Sequence, residues 1–88
     1  MPKQVADAQE IRTAVREFVA KITEREPEEI NDTADFRDDL EIDSLMAMEM
    51  MVSVNKLYQI EILDDEFRTI RHVADAVKVV QRHLAAGQ

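Results

Sequence analysis

Residues 43–58 read Asp43-Ser44-Leu45-Met46-Ala47-Met48-Glu49-Met50-Met51-Val52-Ser53-Val54-Asn55-Lys56-Leu57-Tyr58. No Gly or Pro interrupts the run, and good helix formers fill most of it. It therefore predicts a helix that begins at Asp43-Ser44 and ends near Tyr58. On a wheel of about 100° per residue, Ala47, Met50, Met51, Val54, Leu57 and Tyr58 share one side, wide enough for a core face. Leu45, Met48 and Val52 form a narrower stripe nearly opposite, beside Glu49 and Lys56. A helix that is apolar on two sides is either fully buried or turns one side to a partner. Full burial is hard to achieve in 88 residues. The stripe is expected to be a contact surface unless the first loop or the final residues fold over it.

Working upstream, residues 26 to 42 show no sustained period. That is long for a structureless loop, so the segment is expected to be pinned or functional. Ile30, Phe36, Leu40 and Ile42 are its anchors into the core, and Asp32-Thr33, Asp35 and Asp38-Asp39 supply turn and cap chemistry. Further back, Asp7-Ala8-Gln9-Glu10 reads as a capping box. Ile11, Ala14, Val15, Phe18, Val19 and Ile22 follow at helical spacing, which predicts an amphipathic helix ending near Arg25, before Pro27. Residues 1–6 read as a loose end.

Downstream, Gln59-Ile60-Glu61-Ile62-Leu63 alternates like a strand. With no second strand to pair with, it reads as an extended connection. Asp64 or Asp65 caps a short third helix through Phe67 to about Ile70. A last helix carries Val73, Ala76, Val77, Val80 and Leu84 on one face and stops near Ala86 and Gly87, with 86–88 loose. The sum is an all-α fold, a small four-helix bundle of three longer helices and one short one, with a long loop between the first two, in a single domain spanning 1–88.

Composition narrows the function. The net charge of −8 repels phosphate backbones and anionic lipids, which argues against nucleic-acid and membrane-surface roles and favours partners with basic patches. There is no Cys, so no disulfide framework, Cys-ligated zinc or protein thiol nucleophile is available. That fits a reducing cytoplasm. Met1 to Glu10 holds no apolar run, so no signal peptide is expected, and no stretch approaches a transmembrane length. The Asp-rich run 35–43 lacks the central Gly and alternate ligands of an EF-hand. Met46, Met48, Met50 and Met51 read as core and adaptable surface rather than a soft-metal site. No metal site is expected.

A Ser in the first turn of a helix is ordinarily an N-cap. The surroundings of Ser44 point further. Phe36-Arg37-Asp38-Asp39-Leu40-Glu41-Ile42-Asp43-Ser44-Leu45 resembles the acyl carrier protein pattern of Phe, an acidic pair, Leu, a linker and then Asp-Ser-Leu. The resemblance continues through Glu49, Ile60-Glu61-Ile62, Asp64 to Ile70 and Val73-Ala74-Asp75-Ala76-Val77, and so covers nearly the whole chain. It implies that a separate phosphopantetheinyl transferase esterifies Ser44 with the 4′-phosphopantetheine of coenzyme A, whose terminal thiol then holds an acyl group as a thioester. The sulfur that the chain lacks is thereby imported. A phosphodiester at a helix start would also meet free amides and the positive end of the helix dipole. Asp43 would order the helix start and meet basic residues of the transferase.

The resemblance further implies a non-enzymatic carrier, monomeric and cytoplasmic, that serves an acyltransferase or acyl-ligase and ketosynthase-type enzymes in fatty-acid-like or polyketide-type biosynthesis. Leu45, Met48, Glu49 and Val52 would face those partners. Val54, Ile62, Phe67 and Ile70, with Met50, Met51 and Leu57, would line any space for cargo. No catalytic role fits Ser44, since a nucleophile needs an oriented base. His72 reads as a substituted helix cap or surface residue, where the family often has Thr, and His83 reads as surface.

Three positions depart from the family pattern. Glu41 stands where Gly is usual, Met46 where fatty-acid carriers often have an acidic or polar residue, and Lys56 where they are commonly acidic. With only Glu49 kept on that face, docking would rest more on apolar contact and less on charge, which points to a specialised discrete carrier. Peptidyl carriers tend to have Gly before the attachment Ser, whereas Asp43 stands here. A peptidyl, aminoacyl or D-alanyl carrier remains the alternative within the class, and a helical interaction module that merely kept the fold is the alternative outside it.

Overall fold

The computed structural model describes residues 7–86. Four α-helices follow in order: α1 Ala8–Thr23, α2 Ser44–Tyr58, α3 Asp64–Phe67 and α4 Val73–Ala86, with a 3-10 turn at Pro27–Glu29. Among the described residues there is no strand, and no helix is long and apolar enough to cross a membrane. The fold is all-α, as the sequence predicts. The expected loose ends at 1–6 and 87–88 lie outside the described residues, while Ala86 is the last helical residue rather than part of a loose end.

α1 starts because Asp7 has extended backbone and its carboxylate accepts from the Glu10 amide at 2.9 Å. Glu10 does not return the bond, so only half of the expected capping box forms. α1 ends at Thr23, two residues earlier than expected. Glu24 turns left-handed at φ 59°, and the Arg25 amide closes back onto the Ala20 carbonyl at 2.8 Å. The face of α1 that carries Ile11, Val15 and Val19 is fully buried and packs mainly on α4, whose Val73, Val77 and Val80 complete the layer. Each fully buried aliphatic side chain of this kind contributes about 1.5–3 kcal/mol. α2 crosses the same core through Met50 and Val54.

The long loop is pinned along its length. Ile30, Phe36, Leu40 and Ile42 are all buried, as their spacing in the sequence suggests. The Asp32 carboxylate takes ion pairs from Arg12 and Arg16 of α1, and its carbonyl accepts from the Ala74 amide at 3.1 Å. The Phe36 amide donates to the Arg71 carbonyl at 2.7 Å. The first half and middle of α1 and the start of α4 thus hold the loop that leads to α2. Asp32 sits in the turn its sequence context suggests, which the Ala34 amide closes onto the Asn31 carbonyl at 3.1 Å, and its carboxylate is in addition an ion-pair hub.

The connection after α2 is clamped by one side chain. Asn55 accepts from the Ile62 amide at 2.9 Å and donates to the Ile62 carbonyl at 3.3 Å, so a single amide group stands in for a missing strand partner. α3 differs from expectation in cap and length. Leu63, not Asp64 or Asp65, occupies the cap position, and the helix closes at Phe67. His72 does behave as a cap: its Nδ1 lies 3.4 Å from the Asp75 amide, while Asp75 accepts from the Arg71 amide at 3.0 Å. His83 is not a free surface residue. Half-buried, its Nε2 lies 2.7 Å from Oε1 of Glu66 and ties α4 to α3.

Candidate functional site

The start of α2 decides which side chain caps the helix and which is left over. Asp43 has extended backbone at φ −89°, ψ −177°, and its Oδ1 accepts from the Met46 amide at 2.9 Å. Its carbonyl takes the Ala47 amide at 2.9 Å. Asp43 is therefore the N-cap, and Ser44 is the first residue inside the helix. The idea that Ser44 caps α2 is corrected by one position. The consequence is chemical: Ser44 is exposed, and its hydroxyl bonds to no protein group among the described residues.

The amides of Ser44 and Leu45 likewise donate to no protein group, as befits the first turn of a helix. An anionic substituent on the Ser44 hydroxyl would meet these two donors and the positive end of the α2 dipole. Beside them opens a shallow depression of about 440 Å³, lined by Arg37, Glu41, Ile42, Asp43 and Ser44. The site thus has an accessible hydroxyl, free N–H groups and open space, and a phosphodiester fits it. No base is positioned against the Ser44 hydroxyl: His72 and His83 are engaged at the far elements with Asp75 and Glu66. The arrangement can bear a group but is not built to activate the hydroxyl by itself.

The loop ahead of Ser44 is shaped by carboxylates. Asp35 accepts from the amides of Asp38 at 2.7 Å and Arg37 at 3.0 Å, and from Arg71 Nε at 2.9 Å. Asp39 in turn accepts from the Asp35 amide at 2.8 Å. The Asp38 amide foremost, with Arg71 and the Arg37 amide, holds the Asp35 carboxyl below the usual carboxylate range, against the opposing effect of partial burial. Ile42 closes the loop by donating its amide to the Phe36 carbonyl at 2.8 Å. Glu41 adopts φ 56°, the left-handed region, in the place where Gly is usual. The turn has kept its geometry without the residue that adopts it most readily.

The second apolar face of α2 is open. Leu45 is 65% exposed, Met48 51% and Val52 54%, so neither the loop nor α4 as far as Ala86 covers them. Glu49 and Lys56 are exposed beside them. Leu57 was expected on the core face but is 53% exposed. It lies about 60° to one side of Val54 on the helix, at the margin of the buried arc. Of the residues considered for cargo, Met50, Val54, Ile62 and Ile70 are buried, Met51 and Phe67 half-buried, and Leu57 faces out. Arg37, the one cation lining the depression, is not singled out by the sequence, where it stands only as the residue between Phe36 and the acidic pair Asp38-Asp39.

Comparison with known proteins agrees with this geometry. The family described as "Phosphopantetheine attachment site" matches residues 13–79. An acyl carrier protein from Phenylobacterium zucineum is 39% identical over 72 residues, covering 82% of this chain and 91% of the relative. A meromycolate extension acyl carrier protein from Mycolicibacterium aurum is 35% identical over 77 residues, covering 88% of this chain and 79% of the relative. Among solved structures, an acyl carrier protein from Enterococcus faecalis superposes with a TM-score of 0.76 over 89% of this chain and 99% of that one. At 23% identity, this match speaks for the fold alone. An exposed hydroxyl at the start of α2, lying within a family match that spans most of the chain, leaves one assignment: the chain belongs to the acyl carrier proteins, non-enzymatic carriers that bear phosphopantetheine.

Proposed function

We propose that Ser44 is the residue that receives the 4′-phosphopantetheine, and that residues 1–88 act as one discrete, monomeric, cytoplasmic carrier domain. The observation that carries this reading is the division of labour at the α2 start. Asp43 caps the helix, which leaves the Ser44 hydroxyl exposed and unbonded. When attached, the arm supplies a terminal thiol that holds an acyl group as a thioester. The protein's own part is to present the tether at a rigid helix terminus, with the neighbouring amides facing the phosphodiester. The other serine, Ser53, lies in the third turn of α2 and is half-buried, with no free first-turn amides beside it. Incubation with coenzyme A and a promiscuous phosphopantetheinyl transferase should add one phosphopantetheine to the wild type and none to Ser44→Ala. Equal uptake by both would refute the assignment.

The partners of this reading are a phosphopantetheinyl transferase, an acyltransferase or acyl-ligase, and ketosynthase-type enzymes. Asp43 would meet the transferase, and Leu45, Met48, Glu49 and Val52 would form the face for the others. Their open apolar ridge has Glu49 on its flank and Lys56 at its far end. Such a face favours an apolar partner groove over a strongly basic one. Meromycolate extension carriers among the relatives support a specialised role in fatty-acid-like synthesis rather than general fatty-acid supply. Binding to a general fatty-acid ketosynthase should be weak and change little with salt. Tight, strongly salt-dependent binding would count against specialisation.

A further inference from the structure

Between α1 and α2 the cations are Arg25 and Arg37, and of the two only Arg37 lines the depression beside Ser44. Arg12 and Arg16 pair with Asp32, and Arg71 pairs with Asp35. Arg37 makes no ion pair among the described residues, although Asp38, Asp39, Glu41 and Asp43 are its sequence neighbours. Its backbone is nonetheless fixed on both sides. The amide donates to Asp35 Oδ2 at 3.0 Å, and the carbonyl accepts from the Glu41 amide at 3.2 Å. The side chain is exposed and lines the same depression as Ser44. The other ionisable groups lining it are the carboxylates of Glu41 and Asp43.

A phosphodiester on Ser44 would place a negative charge beside those two carboxylates. The free amides of the first turn offset part of that repulsion. We propose that Arg37 is the positioning residue for the phosphodiester borne by Ser44, taking its non-bridging oxygens across the depression and directing the arm away from Glu41 and Asp43. This rests on Ser44 as the attachment residue. A guanidinium suits the role because its planar fork matches two phosphate oxygens at once. With the Arg37 backbone fixed, only the exposed side chain has to be ordered, and no existing ion pair has to be broken.

The test compares apo and holo forms of the wild type, Arg37→Gln and Arg37→Lys. The readouts are thermal unfolding and the phosphorus NMR signal of the bound phosphodiester. At low salt, the holo-minus-apo change in Tm should be about 2–4 °C less favourable in Arg37→Gln than in the wild type. The phosphorus resonance should shift with it, and both differences should shrink in high salt. Arg37→Lys should restore most of the Tm difference and less of the phosphorus shift. Identical holo-minus-apo changes and an unmoved phosphorus signal in Arg37→Gln would overturn the proposal. So would slower loading with an unaltered holo signal, which assigns Arg37 to transferase docking. A wild type that takes up no phosphopantetheine has no phosphorus signal at all and overturns the attachment reading along with this one.

Discussion

Glu41→Gly should make this protein more stable, although it removes a side chain. Glu41 sits at φ 56° in the turn before Ser44. An L-residue with a Cβ pays about 1–2 kcal/mol for the left-handed region. Gly relieves that strain but returns about 0.5–1 kcal/mol as extra freedom of the unfolded chain. The net gain is about 0.5–1 kcal/mol, or about 2–8 °C in Tm for a domain of this size. Charge is the competing explanation, because Glu41 stands among Asp38, Asp39 and Asp43. Two controls separate the causes. Glu41→Ala removes the charge and keeps the Cβ, and should recover little of the gain at about 0.5 M salt. Glu41→Asn tolerates the left-handed region better and should recover part of it. Thermal unfolding followed by far-UV circular dichroism, at low and high salt, reads all four proteins. If Ala gains as much as Gly in high salt, or if Gly lowers Tm, the strain argument is wrong.

Other consequences follow from single side chains. Asn55→Ala strips both bonds from Ile62 and leaves its amide without a partner in a half-buried setting. A loss of about 1–3 kcal/mol in denaturant unfolding is expected, with hydrogen exchange at the Ile62 amide accelerating first. Asp35 has a carboxyl pKa lowered by the Asp38 amide, Arg71 and the Arg37 amide. Its stabilisation is therefore present above the unfolded-state value and lost as pH falls through the depressed folded value. Asp35→Asn should lower Tm near neutral pH and flatten the fall in Tm below about pH 4, and an unchanged acid limb would contradict this.

Much of the molecule is readable from local pattern. Ile30, Phe36, Leu40 and Ile42 stand out as the apolar residues of a polar loop, and each is buried. The limits of α2 follow from Asp43-Ser44 and Tyr58-Gln59, because caps are short-range chemistry. The stripe of Leu45, Met48 and Val52 is legible because helical geometry leaves it opposite the core face. The reading fails where an outcome depends on a single residue of register or on contacts far along the chain. Whether Asp43 or Ser44 caps α2 turns on one position, and either side chain suits the role. Leu57 lies at the margin of the buried arc, where wheel geometry cannot decide between core and solvent. Arg12 and Arg16 meeting Asp32, and His83 meeting Glu66, span 16 or more residues and leave no local signature. Arg37 reads as one charge among many until its neighbours are seen to be engaged elsewhere. Glu41 is the instructive exception. The family pattern calls for Gly there, and the backbone adopts the Gly-like conformation although the side chain is Glu.

The most direct test of the whole account is to find where the arm is attached. Tandem mass spectrometry of the phosphopantetheinylated protein should place the modification on Ser44, with Ser53 unmodified. Fragments that carry it on Ser53, or on any residue outside the first turn of α2, would contradict the claim that the exposed hydroxyl beside the Asp43 cap is the tether.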